Sequence, residues 1–366
     1  MSPKRRLARF TESMQNSFDG ALITPSSNLF YLTGMKPGNV MERLFLAVVY
    51  PQKAPSLIAP KLFEDEIHRA KIDFGDIYLW EDTDDPYVHL RRILKDIEAS
   101  QKNLLIEDSM ASDILMNIRE QIDKYEWSSL NSQTSRLRKI KSEEEMELMK
   151  KAAEIADKTY REILKEDLRG MSEKELASLI DYIIKKNGAK ETSFETIVAS
   201  GPNSANPHHT PSDRKIQEKD MVIMDFGARY EGYCSDITRT AAIGDIHEIE
   251  EKVYGIVKEA QSQARKIAIN GIEARKIDKE AREIMKKNGY GENFTHRVGH
   301  GLGIDPHEEP YLTENNEGKI KKGMTFTIEP GIYLKDRFGV RIEDDMWMDE
   351  EKSITLTEAE RDLKRI

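Results

Sequence analysis

The chain has 366 residues, with 56 Lys and Arg against 66 Asp and Glu and a formal net charge of −10 at pH 7. That acidic balance argues against a general nucleic-acid binder. The longest strongly apolar run, Leu44–Tyr50, falls far short of the ~20 residues that span a bilayer. A single cysteine, Cys234, excludes an internal disulfide and a Cys-built zinc site. The basic start, Met1–Arg6, is followed by no apolar stretch, so no signal peptide is expected. A cytoplasmic chain of two domains, with no membrane and no nucleic-acid partner, is the expectation.

In chain order, Ala21–Thr24 reads as a short strand. Leu44–Tyr50 and Ser56–Ile58 flank a Pro51–Pro55 turn, and Asn103–Ile106 is a further strand. Leu62–Ala70 and Val88–Ala99 carry helical spacing. This part is an α/β domain of residues 1–133; its two histidines, His68 and His89, have no ligand cluster around them. The polar, unpatterned stretch Asn131–Ser135 marks the boundary. In residues 134–366, Ser142 with Glu145 forms a capping box, and Met146, Met149, Ala153 and Ala156 continue one helical face. Ser172 with Glu175 caps a second helix that ends at Asn187-Gly188. Strands follow, and then the order repeats, with helices from about His247 to Asn270-Gly271 and from about Lys276 to Asn288-Gly289. Gly188 and Gly289 lie 101 residues apart, Asp225 and Glu329 104, and Asp236 and Glu343 107. Two copies of helix–helix–hairpin result, each delivering two carboxylates.

The carboxylates stand where strands disfavour them. Met221–Ala228 and Tyr233–Ala241 alternate around Tyr230-Glu231-Gly232. A turn centred between Tyr230 and Glu231 makes Asp225 and Asp236 direct cross-strand neighbours, which is destabilising unless something neutralises them. In the second copy, Thr325–Ile328 leads to Glu329 and Gly339–Ile342 to Glu343, around a turn at Asp336–Gly339. Arg341 shares a face with Glu343. Ile223, Phe226, Ile237, Ile328 and Ile342 flank these acids, and buried charges must be paired or coordinate a metal. Five of the eight histidines, His208, His209, His296, His300 and His307, fall in three loop-like stretches. His296 and His300 have zincin spacing, but Arg297 replaces the catalytic Glu and glycines oppose a helix. Four carboxylates with one or two imidazoles suit two divalent ions, Mn²⁺ first, with Co²⁺, Zn²⁺ and Fe²⁺ as the other options. Two such metals make hydroxide available near neutral pH.

The motifs Asp225-Phe226-Gly227-Ala228, Cys234–Thr240, His300–Pro310, Thr327–Tyr333 and Val340–Asp344 resemble the pita-bread metallopeptidases, family M24. The likeness is greatest to the proline-specific branch of prolidase and aminopeptidase P. Ser27–Gly34 resembles the creatinase-like amino-terminal domain of that branch. The resemblance implies a creatinase-like α/β domain followed by an α+β pita-bread catalytic domain with internal pseudo-twofold duplication. It implies a peptidase that cleaves the Xaa-Pro bond at the amino terminus of small proline-containing peptides, by a hydroxide bridging two metals. By position, the resemblance implies that Asp225 chelates one metal, that Asp236 and Glu343 bridge both, and that His300 and Glu329 complete the ligand set of the second metal. Glu329 is also the implied general base. His307 and His209 are implied to hydrogen-bond the oxyanion and substrate. Arg341 is implied to support the site or touch substrate, and His296 to wall the substrate pocket. Thr238, on the face of Asp236, is placed to orient that carboxylate. A homodimer is implied by the family. Some dipeptidases of the branch hold the substrate carboxylate with an arginine between the positions of His307 and Glu329. Here that stretch offers Tyr311, Lys319, Lys321 and Lys322, so an aminopeptidase on longer peptides and a strict prolidase on dipeptides both stay open. A creatinase-like amidinohydrolase and a non-catalytic peptide-binding module are more distant alternatives, and both lose ligand residues that this chain keeps.

Overall fold

The computed structural model describes residues 1–38, 40, 42–95, 103–122 and 125–366. The chain divides into two compact units, Met1–Arg138 and Lys139–Ile366.

The first unit contains α1 (Pro3–Met14), β1 (Gly20–Ile23), α2 (Ser27–Thr33), β2 (Leu46–Val49), β3 (Ser56–Pro60), α3 (Glu64–His68), β4 (Asp76–Trp80), α4 (Tyr87–Lys95), β5 (Asn103–Ile106), α5 (Ser112–Gln121), β6 (Glu126–Ser129) and α6 (Asn131–Arg138). Its six strands form one mixed sheet in the order β4-β3-β2-β1-β5-β6. The central strands β1, β2 and β3 are fully buried, and these are the ones their apolar runs predict. The two edges, β4 and β6, are mostly exposed. β6, Glu126–Ser129, carries no apolar run, so pattern alone does not find it; β4 carries a short one, Ile77–Trp80, that is only partly buried. The helix expected at Val88–Ala99 is α4; residues 96–99 lie outside the described residues. Asn131–Ser135, expected to be an unpatterned boundary, is instead the start of α6. That helix buries only Thr134 and Arg138, so it has no apolar stripe to reveal it.

The second unit opens with α7 (Glu143–Ile163) and α8 (Glu173–Lys186). Both expected capping boxes are formed, Ser142 with Glu145 and Ser172 with Glu175. Met146, Met149, Ala153 and Ala156 are all buried along α7. There follow β7 (Glu191–Thr192), β8 (Ile197–Ser200), β9 (Met221–Phe226), β10 (Ala228–Tyr230), β11 (Tyr233–Cys234) and β12 (Ile237–Ala242). The second copy is α9 (Glu248–Ile267), α10 (Ala274–Lys287), β13 (Gly299–Gly301), β14 (Glu308–Leu312), β15 (Thr325–Ile328), β16 (Gly331–Leu334), β17 (Phe338–Arg341) and β18 (Asp344–Met348). The chain closes with β19 (Ser353–Thr355) and β20 (Lys364–Arg365). Each helix pair covers an apolar core, centred on β9 and β12 in the first copy and on β15, β17 and β18 in the second.

The registers differ from expectation in an instructive way. Arg229 pairs with Cys234 and Asp225 with Thr238. The turn residues are Glu231 and Gly232, with φ of 47° and 89°. Both are positive, as a two-residue hairpin turn of the primed kind requires. The turn centre is therefore one residue later than the alternation suggests, and Thr238, not Asp236, faces Asp225. Such a change of centre shifts pairing by two residues, which leaves every side chain on its expected face. In the second copy β16 pairs with β17, from Gly331–Arg341 to Leu334–Phe338. The turn is Lys335–Arg337, and Phe338 and Gly339 lie in the strand. β15 pairs with β18, not with the Gly339–Ile342 segment. Each copy is thus one long hairpin interrupted midway, at Gly227 and Ser235-Asp236 in the first and at Glu329-Pro330 and Ile342-Glu343 in the second. Pro330 has no N–H to give a ladder. The interruptions release Asp236, Glu329 and Glu343 from pairing. Glu343 N instead donates to Thr238 O at 3.1 Å, joining the two hairpins.

Candidate metal centre

Asp225 is the penultimate residue of β9, two residues before the interruption at Gly227; Asp236, Glu329 and Glu343 sit in the interruptions themselves. His300 is at the centre of β13, between Gly299 and Gly301. Only glycine fits at those positions, because a Cβ on Gly299 would run into the Thr327 carbonyl and one on Gly301 into the Glu309 carbonyl. The Gly-His-Gly run is therefore a strand pressed against its neighbours rather than a zincin helix.

Three overlapping groups of ligand atoms lie within 4.8 Å of one another: Asp225, Asp236 and Glu343; His300, Glu329 and Glu343; and Asp236, His300 and His307. Asp225, Asp236, His300 and Glu343 are almost fully buried. Their hydrogen bonds are one-sided. Asp225 Oδ2 accepts from Arg341 Nη2 at 2.5 Å, and Glu343 Oε2 accepts from Thr238 Oγ1 at 2.6 Å. Asp225 Oδ1, Asp236 Oδ1 and Glu343 Oε1 are buried with no hydrogen-bond partner. His300 Nδ1 lies 3.1 Å from Gly301 O, so it carries the ring proton and donates. The lone pair of His300 Nε2 then faces Glu329 Oε1 at 3.3 Å and Asp236 Oδ2 at 3.8 Å. Orphaned carboxylate oxygens and an imidazole lone pair converging on one point fit a divalent cation. Without one, burial first and then the neighbouring carboxylates push Asp236 and Glu343 far above the ordinary carboxylate range, and burial raises Asp225. Burial acts in the same sense on Glu329, but the neighbouring His300, His296 and Arg341 outweigh it and hold Glu329 at about 2.

The cluster lies at the floor of a cavity of about 890 Å³. Phe194, Ile197, Pro207 and His296 supply apolar wall, and His208, Arg297 and His307 supply polar atoms. His296 Nδ1 lies 2.8 Å from Arg297 O, and its Nε2 lies 2.9 Å from the Tyr333 hydroxyl. Both nitrogens are committed, and burial pushes the ring down to about 4, so it is a neutral wall. His307 is likewise lowered to about 4, by burial and then by His300 and Arg297. Arg297 can only donate, so His307 Nδ1, 3.3 Å from Arg297 Nη2, accepts, and Nε2–H remains to donate.

Two sequence-based expectations change and a third is narrowed. His209 does not line the cavity. Its Nε2 is 2.7 Å from Glu173 Oε2, and the preceding residue, His208, faces the cavity instead. Adjacent residues of a loop point different ways, and two histidines in a row give no signal as to which turns inward. Thr238 orients Glu343 rather than Asp236; Asp236 N is held by Asp345 Oδ2 at 2.9 Å. Arg341 spends its donors within the protein, on Asp225, Thr238 Oγ1, Pro207 O and the Tyr333 hydroxyl. It therefore positions Asp225 and supports the cavity. Asp345 and Tyr333 join the site through Asp236 N and Arg341; in sequence nothing beyond their place beside the acidic motifs marks them.

Among the described residues no helix is long and apolar enough to cross a membrane. Residues 147–350 match the description of metallopeptidase family M24, and residues 6–140 match the creatinase/prolidase N-terminal domain. The chain is 36% identical over 365 residues to a Xaa-Pro dipeptidase of Pyrococcus furiosus, covering 98% of this chain and 99% of that one. Among solved structures, a recombinant prolidase from Thermococcus sibiricus superposes with a TM-score of 0.96 at 47% identity, over 100% of both chains. A dipeptidase from Pyrococcus horikoshii OT3 gives 0.94 at 46%, over 99% of this chain and 100% of that one. The pita-bread architecture and its creatinase-type amino-terminal domain are those the sequence motifs imply, and the chain belongs to metallopeptidase family M24.

Proposed function

We propose that this protein is a two-metal exopeptidase that hydrolyses the Xaa-Pro bond at the amino terminus of short peptides. The observation that carries this reading is the convergence of three buried, partnerless carboxylate oxygens with His300 Nε2 and Glu329 at the cavity floor. Asp225, Asp236, His300, Glu329 and Glu343 would hold the ions. Mn²⁺ suits so oxygen-rich a set. Divalent ions bound there supply Lewis acidity and make hydroxide available near neutral pH.

The chain's own residues do the rest. Glu329 is ionised at neutral pH and accepts the proton of the attacking water. His307, with Nε2–H free, donates to the oxygen on which charge develops. His208 takes the substrate-facing role that the resemblance suggested for His209. Arg341 and Thr238 each fix one oxygen of an acid and leave the other free. Phe194, Ile197, Pro207 and neutral His296 offer a dry surface to a pyrrolidine ring. An imide nitrogen brings no N–H, so an apolar wall there leaves no donor unsatisfied.

The test is the metal content and turnover of Asp236→Asn beside the wild type. Wild-type protein should bind about two divalent ions per chain, and Asp236→Asn should lose metal and activity together. A fully active Asp236→Asn enzyme overturns the metal assignment. Equal rates on Gly-Gly-type and Xaa-Pro peptides under Mn²⁺ overturn the proline selectivity.

A further inference from the structure

One cation in the cavity has no role in the chemistry above. Arg297 lines the wall beside His307, with Nη2 3.3 Å from His307 Nδ1. Its guanidinium carbon lies 4.6 Å from the centre of the Tyr311 ring. Among the described residues it pairs with no carboxylate, whereas Arg341 is bound to Asp225. A guanidinium has five donors in a rigid fork. One serves His307, and stacking on Tyr311 fixes the plane without using any. What remains matches the two oxygens of a carboxylate.

Its position sets which carboxylate. The rings of His300 and His307 are 3.8 Å apart, and His300 Nε2 touches the acid cluster. Arg297 therefore stands one imidazole layer out from the point of hydrolysis. One residue of extended chain advances about 3.3–3.6 Å, so the carboxylate of the residue just after the scissile bond reaches this layer. The geometry points to Arg297 as the receptor for the free carboxylate of a dipeptide substrate. This rests on the peptidase reading and deepens it, making dipeptides the substrate class that the cavity favours. The stretch between His307 and Glu329 contains no arginine; the guanidinium comes instead from the strand side of the cavity, ten residues before His307.

The experiment compares metal-loaded wild type, Arg297→Gln and Arg297→Lys on one Xaa-Pro dipeptide and on its C-terminal carboxamide. Wild type should prefer the free acid. Arg297→Gln should raise KM for the acid about 10–100-fold more than for the carboxamide, the range for losing a charge-assisted hydrogen bond, while any loss of kcat through the bond to His307 falls on both substrates alike. Arg297→Lys should restore part of the preference. Equal losses on acid and amide, or no acid preference in wild type, overturn the assignment. Calorimetric binding of L-proline and L-prolinamide provides an arm independent of turnover. Tighter proline binding that Arg297→Gln abolishes supports the receptor, and equal binding of the two refutes it. If wild type hydrolyses neither peptide, the peptidase reading fails, and the binding arm alone decides the role of Arg297.

Discussion

At the scale of single residues, the site depends on carboxylates satisfied on one side only. Thr238 shows how tightly this is arranged. Its hydroxyl donates to Glu343 Oε2 at 2.6 Å and accepts from Arg341 Nε at 3.1 Å. Thr238→Val keeps the shape and removes both bonds. Outer partners of metal ligands are typically worth 10–100-fold in metal affinity. Thr238→Val should accordingly bind metal about 10–100-fold more weakly while keeping a native circular dichroism spectrum; an unchanged affinity would show that Glu343 needs no such support. Glu329 differs from the other acids because it is ionised even without metal. Glu329→Ala should leave a folded protein whose kcat falls by at least about 10²–10⁴-fold, the scale of a lost general base. Metal content measured on the same sample separates loss of a ligand from loss of a base.

At the scale of elements, the loop carrying Pro207 and His208 is held by one buried acid, Glu173 at the start of α8. Its Oε1 accepts from Ser200 N at 2.7 Å and from Asn203 Nδ2 at 3.0 Å. Its Oε2 accepts from His209 Nε2 at 2.7 Å and from Ser212 N at 3.0 Å. Burial alone would raise this carboxyl, but the bonds from Ser212, His209 and Ser200 outweigh it and bring it to about 2 from 4.5. A depressed folded pKa contributes stability that is present above the unfolded value and lost as pH falls through the folded one. Glu173→Gln turns an amide N–H toward these donors and should cost roughly 1–3 kcal/mol at pH 7. In melting curves the gap from wild type should be full above about pH 5 and shrink steadily toward pH 2. A gap independent of pH would mean that the charge of Glu173 is not what holds the loop.

These elements also show what pattern reading can and cannot reach. Caps at Ser142 and Ser172 and the acids at 225, 236, 329 and 343 are local signals, and local chemistry dictates them. The hairpin register is set by which residues tolerate positive φ, and Gly232, with no Cβ, favours Glu231-Gly232 over Tyr230-Glu231. A two-residue shift preserves the face, so either register puts Asp225 and Asp236 on the same side of the hairpin. The choice between His208 and His209 depends on a contact with Glu173, 36 residues away, and no neighbouring residue encodes it. Edge strand β6 lacks an apolar run because an edge buries little of its length.

At the scale of the molecule, metal, charge and stability are coupled. The ligand groups found among the described residues all lie in the unit Lys139–Ile366. Without metal, that unit holds Asp225, Asp236 and Glu343 with raised pKa values, burial being the first cause of each. For an acid the sign is clear. A folded state that binds more protons than the unfolded one loses stability as pH rises above the unfolded pKa near 4. Ions offset that loss by occupying the place of the protons, and they bind more tightly as the ligands deprotonate. Binding to the native state adds stability in proportion to the logarithm of ligand excess. Both effects act in one direction, so the melting temperature lost on chelation should be small at pH 5 and grow toward pH 8. Hydrogen exchange should locate the loss. Amides of β9, β12, β15 and β18 should lose protection on chelation, while β1, β2 and β3, whose unit contains none of the ligands, should keep theirs. Protection lost equally in both units, or a chelation effect that is largest at pH 5, would refute the placement of the metals on these carboxylates.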